Sequence, residues 1–374
     1  MIGEWFLQVA RDLAPEIIRD RDAIERDRCL PSKLVEKLRA AQLFELWLPI
    51  AFGGPELHPI DYVRVIEALA TADGSVGWCA AVAGVQSLVA GCIGENVARQ
   101  IFGGHSIVAG SLNPSGTATI EEGGYRVNGR WAFGSGINHS SWVVGNCVVS
   151  DTATTMLMLF PRNAVEVIDT WHVSGLRGTG SHDFCVNDLF VPATHCTSAS
   201  HLPAVQPGTL FQIPPLSLFA ISLAAVSMGI ARGAIDALIE LANAKTPAGA
   251  TAPLNARQIV QASVARAEVL LRAARAVVFE AIREQWDEVD AGAPPSLTAR
   301  ASIRLSSTYC AEACVGAVDL VYAAAGSSAV FESGRFARCF RDVHAAQQHI
   351  ALSVNNYEPA GRVLLGLEPG TSRF

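Results

Sequence analysis

Apolar residues change their spacing twice along this chain of 374 residues, which restricts it to folds in which helices flank a β unit. From residue 1 to about 102 the spacing is helical: Pro31 opens a helix carrying Leu34, Leu38 and Leu43, and residues 60–72 and 75–90 continue the pattern. From about 105 to 192, short β-branched and aromatic runs alternate with Gly, Asn and Asp. Tyr125-Arg126-Val127, Trp142-Val143-Val144 and residues 155–160, 165–168 and 183–191 are such runs. They predict a small barrel or sandwich. After a Pro-rich connector at 203–215, long helical segments return at about 216–244, 255–291, 296–325 and 334–355, broken at 246–249, 292–295 and Gly326-Ser327. Four such segments with short connections predict an antiparallel four-helix bundle. The expected organisation is therefore a helical domain at 1–104, a β-barrel at 105–203 and a bundle at 204–374.

With 50% hydrophobic and 17% charged residues, the chain has a large core to bury. Its length exceeds the roughly 250–300 residues at which single cores stop growing. A formal net charge of -7 gives no electrostatic reason to expect nucleic acid or an anionic membrane as partner. The most apolar stretch, 215–231, is interrupted by Ser217, Ser222, Ser227 and Gly229 and reads as a buried helix rather than a membrane span. The first 19 residues contain acids and no apolar core of signal-peptide length, and nine scattered cysteines form no CxxC pair. Both points lead to the expectation of a reducing cytoplasm, with a small molecule or another subunit as partner.

The chemistry-bearing stretch is Arg341-Asp342-Val343-His344-Ala345-Ala346-Gln347-Gln348-His349. On a continuous helix, Asp342 and His349 lie two turns apart on nearly one face, whereas His344 points about 140° away from His349. An imidazole titrating near neutrality suits proton transfer; the plain alternative is a surface or satisfied core histidine. Trp131 and Phe133 alternate around Ala132 and would share a strand face, either as the wall of a planar ligand site or as core aromatics. No Gly-x-Gly-x-x-Gly follows a strand, so a built-in nicotinamide site is not expected. His182 near Asp183, and His195 near Cys196, lack the ligand number for zinc, so no metal is expected. The adjacent Ser181-His182-Asp183 would point to alternate faces of a strand, unlike a hydrolase triad.

The order of regions, with Leu48-Pro49, Phe52-Gly53-Gly54 and Gly175-Leu176-Arg177-Gly178-Thr179-Gly180-Ser181 leading to Phe190-Val191-Pro192, resembles the acyl-CoA dehydrogenase fold over nearly the whole chain. Dehydrogenases of that family place a catalytic Glu after an Arg-Asp pair or on another bundle helix. Here the first of those places holds Gln348, His349 and Ile350, and Glu332 and Glu358 are too far along to substitute. His349 after Arg341-Asp342, with residues 73–78, 110–116 and 129–136, is instead similar to the hydroxylating branch: oxygenase components of two-component flavin monooxygenases.

That resemblance implies reduced FMN or FAD delivered by a separate flavin reductase, O2 as co-substrate, a small aromatic substrate and a homotetramer. It implies His349 and Ser135 as catalytic residues, with Ser135 beside flavin N5, and Ser111, Asn113, Trp131 and Phe133 as further flavin contacts. Arg257, with the backbone around Gly326 and Ser327, would reach a neighbouring subunit's flavin phosphate. Trp78, Gln86, Ser111 and His349 would line the substrate cavity. Gln86 stands eight residues after Trp78, where phenol hydroxylases of this branch often carry a second histidine; an amide does not titrate. A phenol, an indole-like ring, a polyketide aromatic, a sulfur heterocycle and an amino-sugar nitrogen all stay open. The alternatives are a thioester desaturase with an unrecognised base, and a non-catalytic flavin-binding member.

Overall fold

The computed structural model describes residues 2–199, 205–249, 251–371 and 374. The expected domain boundary at 203/204 lies outside the described residues. The N-terminal part contains α1 (Ile2–Asp27), α2 (Ser32–Ala40), α3 (Pro59–Ala72), α4 (Gly74–Ser87) and α5 (Glu95–Phe102). Proline at the first position of α3 costs no hydrogen bond, and the His58 ring accepts from the Ile60 N–H. Asp73 caps α4 by accepting from the Ser75 and Val76 N–H groups. Every residue of α4 is buried, which explains why it has no polar face.

The C-terminal part contains α6 (Pro215–Ala244), α7 (Gln258–Asp290), α8 (Leu297–Ala325), α9 (Arg335–Gln347) and α10 (Tyr357–Leu364). Helices α6 to α9 pack as a bundle, but the fourth is shorter than its expected span of 334–355. The two helical regions are not separate bodies. A single apolar core runs from Phe6 to Leu352 through both. Side chains at two α4 and α6 positions would prevent this packing: a Cβ on Gly77 or on Gly229 would lie 2.5 Å from the Ala70 Cβ of α3.

Between them, β1 (Val108–Glu121), β2 (Gly124–Gly134), β3 (Trp142–Val149), β4 (Thr155–Pro161), β5 (Glu166–Ile168), β6 (His182–Pro192) and β7 (Cys196–Ser198) form one sheet in the order β5-β6-β2-β1-β3-β4-β7. The β1–β3 pair is parallel and the other pairs are antiparallel, so the sheet is mixed. Its curvature follows from Trp131, whose ring lies 5.7 Å from Phe160 of β4 and 5.2 Å from Phe184 of β6. Those strands are four places apart in the order, which in a flat sheet would separate them by about 19 Å. The sheet is thus wrapped around its own core, while its edge strands β5 and β7 are not hydrogen-bonded to each other among the described residues. The expected small barrel is this curled, seven-stranded mixed sheet.

Candidate active site

The sheet, α4 and the end of the bundle meet at Trp78. Its indole Nε1 donates to Ser135 Oγ at 3.1 Å, and its ring lies edge-on to His349 with centroids 5.9 Å apart. One side chain of α4 thereby joins the two residues expected to be catalytic.

Ser135 follows β2, where the ladder with β6 is irregular between Trp131 and Gly134 and Phe133 takes a φ of +66°. That irregularity breaks the alternation on which a shared face for Trp131 and Phe133 was based. Trp131 is fully buried inside the sheet, stacked on Phe184, with its Nε1 donating to the Asn146 carbonyl at 2.8 Å. Phe133 is 67% exposed and meets Trp171 edge-on at 6.1 Å. Trp131 is therefore a core residue, and the aromatic surface available to a ligand is Phe133 with Trp171.

Ser135 Oγ lies 2.7 Å from Ser181 Oγ, which lies 2.7 Å from Thr179 Oγ1, which donates to the Leu176 carbonyl at 2.8 Å. Leu176 adopts a left-handed conformation, and its N–H donates to Asp342 Oδ1 at 2.6 Å. Burial pushes the Asp342 carboxyl up to about 8, with the neighbouring Asp73 carboxylate adding to the effect. Burial likewise raises Asp73. Asp342 thus pins a turn of the sheet domain to the bundle, a role absent from the sequence-based expectations.

His349 does not continue α9. It has φ -69° and ψ 136° and caps a short 3-10 turn, its Nδ1 accepting from the Ala351 N–H at 3.1 Å. This local side-chain-to-backbone bond competes with the helix and explains why α9 stops at Gln347. The ring is edge-on to Phe219 at 5.0 Å as well as to Trp78, and desolvation lowers its pKa to about 4. An imidazole titrating near neutrality is therefore corrected to one that stays neutral. With Nδ1 accepting, the ring proton sits on Nε2. His344 instead pairs with Asp319 at 3.1 Å and packs on Phe340 at 4.4 Å, outside the site.

Ser111 is buried on β1, which packs against α4, and its Oγ accepts from the Asn113 N–H at 3.4 Å. Asn113 is exposed and donates from Nδ2 to Ser115 Oγ at 2.8 Å. Gln86 is 4% exposed, and its amide has no hydrogen-bond partner among the described residues. At the opposite end of the bundle, Lys245 Nζ donates to Ser328 Oγ at 2.7 Å, and its carbonyl accepts from the Leu254 N–H. Arg257, Gly326 and Ser327 sit exposed at that end. Phe219 and Lys245 are separated by about 39 Å of helix at 1.5 Å per residue. The structure thus does not bring Arg257, Gly326 and Ser327 to the site of their own chain.

A planar ring with a polar edge suits this geometry. Phe133 and Trp171 offer aromatic surface, Ser111 offers a hydroxyl, and Ser135 keeps a lone pair that no described protein group uses. A flavin has that shape and chemistry. Ser181, Thr179, Trp171 and Phe219 were not singled out from sequence as ligand contacts. The first two lay inside the Gly-rich run 175–181, where hydroxyls between glycines were the available signal.

Comparison with known proteins agrees with the geometry. The family patterns described as "Acyl-CoA dehydrogenase, N-terminal domain" and "Acyl-CoA dehydrogenase, C-terminal domain" match residues 4–96 and 221–354. The chain is 30% identical over 361 residues to an indole-3-acetate monooxygenase of Pseudomonas putida, covering 94% of this chain and 92% of that one. It is 29% identical over 375 residues to the flavin-dependent monooxygenase oxygenase subunit HsaA of Mycobacterium tuberculosis, covering 96% and 95%. The structure of XiaF from Streptomyces sp. in complex with FADH2 and glycerol superposes with a TM-score of 0.92 at 25% identity, covering 99% and 97%. The chain belongs to the acyl-CoA dehydrogenase family, among its flavin-dependent monooxygenases.

Proposed function

We propose that the protein is the oxygenase component of a two-component system, binding reduced flavin and inserting one oxygen atom into a small aromatic substrate. The observation that carries this reading is the buried His349 ring, set edge-on against Trp78 and Phe219, with the Trp78 indole held to Ser135. Bound reduced flavin supplies the electrons and, with O2, the oxygen atom that goes to the substrate. Ser135 orients the flavin edge at N5. Phe133 and Trp171 cover its ring, and Ser111 and Asn113 contact its polar rim. His349 donates from Nε2–H to oxygen on the substrate or beside it, in a site kept dry by Trp78 and Phe219. Gln86 offers an unpaired amide to a polar substituent of the substrate.

FAD is favoured over FMN because relatives are named as FADH2-dependent or bound to FADH2. A separate reductase supplies it, in keeping with relatives named as oxygenase subunits or components. Arg257, Gly326 and Ser327 serve the flavin of a neighbouring subunit in a homotetramer, since about 39 Å of helix, at 1.5 Å per residue, lies between that end of the bundle and their own site. A thioester desaturase would need a carboxylate base where this chain has a neutral imidazole.

Anaerobic titration with reduced FMN and FAD, followed by oxygenated buffer containing indole-3-acetate or resorcinol, tests the proposal. Reduced flavin should bind, and product one oxygen atom heavier should form with at least one aromatic of such a panel. Tightly held oxidised flavin that an acyl-CoA reduces would establish the desaturase instead.

A further inference from the structure

The hydroxyls behind Ser135 form a chain with one direction. The Leu176 carbonyl can only accept, so Thr179 spends its single proton there. Thr179 must then accept from Ser181, and Ser181 must accept from Ser135. Trp78 Nε1–H fills one lone pair of Ser135 Oγ. A hydroxyl has one proton and two lone pairs, so the only capacity left on Ser135 is to accept one more hydrogen bond. All four side chains are buried, Trp78 at 7%, Ser135 at 8%, Ser181 at 3% and Thr179 at 2% exposure, so water does not reorganise the chain freely.

We propose that Thr179 and Ser181 are positioning residues that hold Ser135 as an obligate acceptor, and so make the site select flavin by its redox state. This rests on Ser135 facing flavin N5, as proposed above. Reduced flavin carries an N–H at N5 and can donate to Ser135. Oxidised flavin presents a bare lone pair there, against another lone pair. An unmet buried acceptor pair of this kind corresponds to roughly 5- to 150-fold in affinity. The oxygenase would thereby take up reduced flavin from its reductase and release the oxidised form after turnover.

The test is the ratio of dissociation constants for oxidised and reduced FAD, measured by anaerobic and aerobic fluorescence titration without substrate. Thr179→Val removes the acceptor for Ser181, whose proton then turns toward Ser135 and frees the Ser135 proton to point into the site. The Leu176 carbonyl keeps the Trp171 Nε1–H at 3.1 Å and the Thr179 N–H at 3.2 Å, so the turn stays bonded. Ser181→Ala leaves the Ser135 proton without an acceptor and has the same consequence by a different change. In both variants oxidised FAD should bind more tightly and reduced FAD more weakly, narrowing the ratio about tenfold, while Thr179→Ser should restore it.

Equal weakening of both redox forms would mean a structural role and overturn the proposal, as would an unchanged ratio. Wild-type protein that binds both forms equally would also overturn it. Failure to bind flavin in either state would instead overturn the functional reading on which it rests.

Discussion

Replacing His349 with Asn separates hydrogen-bond donation from proton transfer. The ring makes two kinds of contact: Nδ1 accepts from the Ala351 N–H, and the ring edge packs on Trp78 and Phe219. Asn keeps the first, since its carbonyl can accept from the amide two residues on, but it ends short of the position of Nε2. Removing one preorganised donor from a dry site costs about 2.7–4 kcal/mol, or roughly 100- to 1,000-fold in turnover. Single-turnover oxygenation with chemically reduced FAD and a competent aromatic should therefore slow by that factor, with reduced-FAD affinity little changed. The pH dependence gives the sharper discrimination. Because burial lowers the His349 pKa to about 4, the ring is neutral from pH 5 upward, and the wild-type rate should show no inflection near 6.5 from this group. The neutral ring's contribution to stability is correspondingly present above its unfolded pKa and lost as pH falls toward 4. An acid limb near pH 6.5 that disappears in the His349→Asn variant would restore the proton-transfer role and refute this reasoning, as would a variant retaining more than about a tenth of the wild-type rate.

Other perturbations follow from the same geometry. His344→Asn removes a half-exposed side-chain contact with Asp319 and should change turnover less than about threefold, consistent with the small worth of surface polar pairs. Phe133→Gly relieves a left-handed backbone at an exposed aromatic, so chemical denaturation should show a gain of roughly 1 kcal/mol while flavin affinity falls; a loss of stability would remove strain from the account. Asp342 has a folded-state pKa raised above its unfolded value, so its contribution is present at low pH and lost as pH rises toward about 8. Thermal denaturation of Asp342→Asn should accordingly show its largest relative stabilisation at pH 9, and no pH dependence of that difference would count against the buried protonated carboxyl. Arg257→Ala should weaken FAD binding without lowering the melting temperature, and sedimentation of the wild type as a monomer at micromolar concentration would defeat the shared site.

The regions of the fold were legible because helical and strand periodicities differ, and α6 was visible as an apolar stretch, its apolar window 89% buried inside the fold. The α4 segment was legible only from its helical spacing, and its apolar window is 100% buried. What sequence spacing misassigned were positions where a local bond overrides periodicity. His349 left the helix because its own ring caps the next turn, and Phe133 left the face of Trp131 because the β2–β6 ladder slips there. Trp78, His349 and Ser135 were nameable as a group through family resemblance, yet nothing in their spacing required one indole to touch both partners. The Thr179–Ser181 chain was less legible still, because the direction of a hydroxyl depends on the carbonyl at its far end.

The core that runs without interruption from Phe6 to Leu352 makes the curled sheet, in chain order, an insertion into one helical body. During synthesis the first hundred residues emerge with the apolar faces of α3 and α4 uncovered, and the helix that covers them, α6, begins only at Pro215. Contacts this distant in sequence form slowly, because a long loop must close before they contribute. The nascent N-terminal segment is therefore a natural client for a chaperone, and a fragment ending after the sheet should aggregate rather than fold.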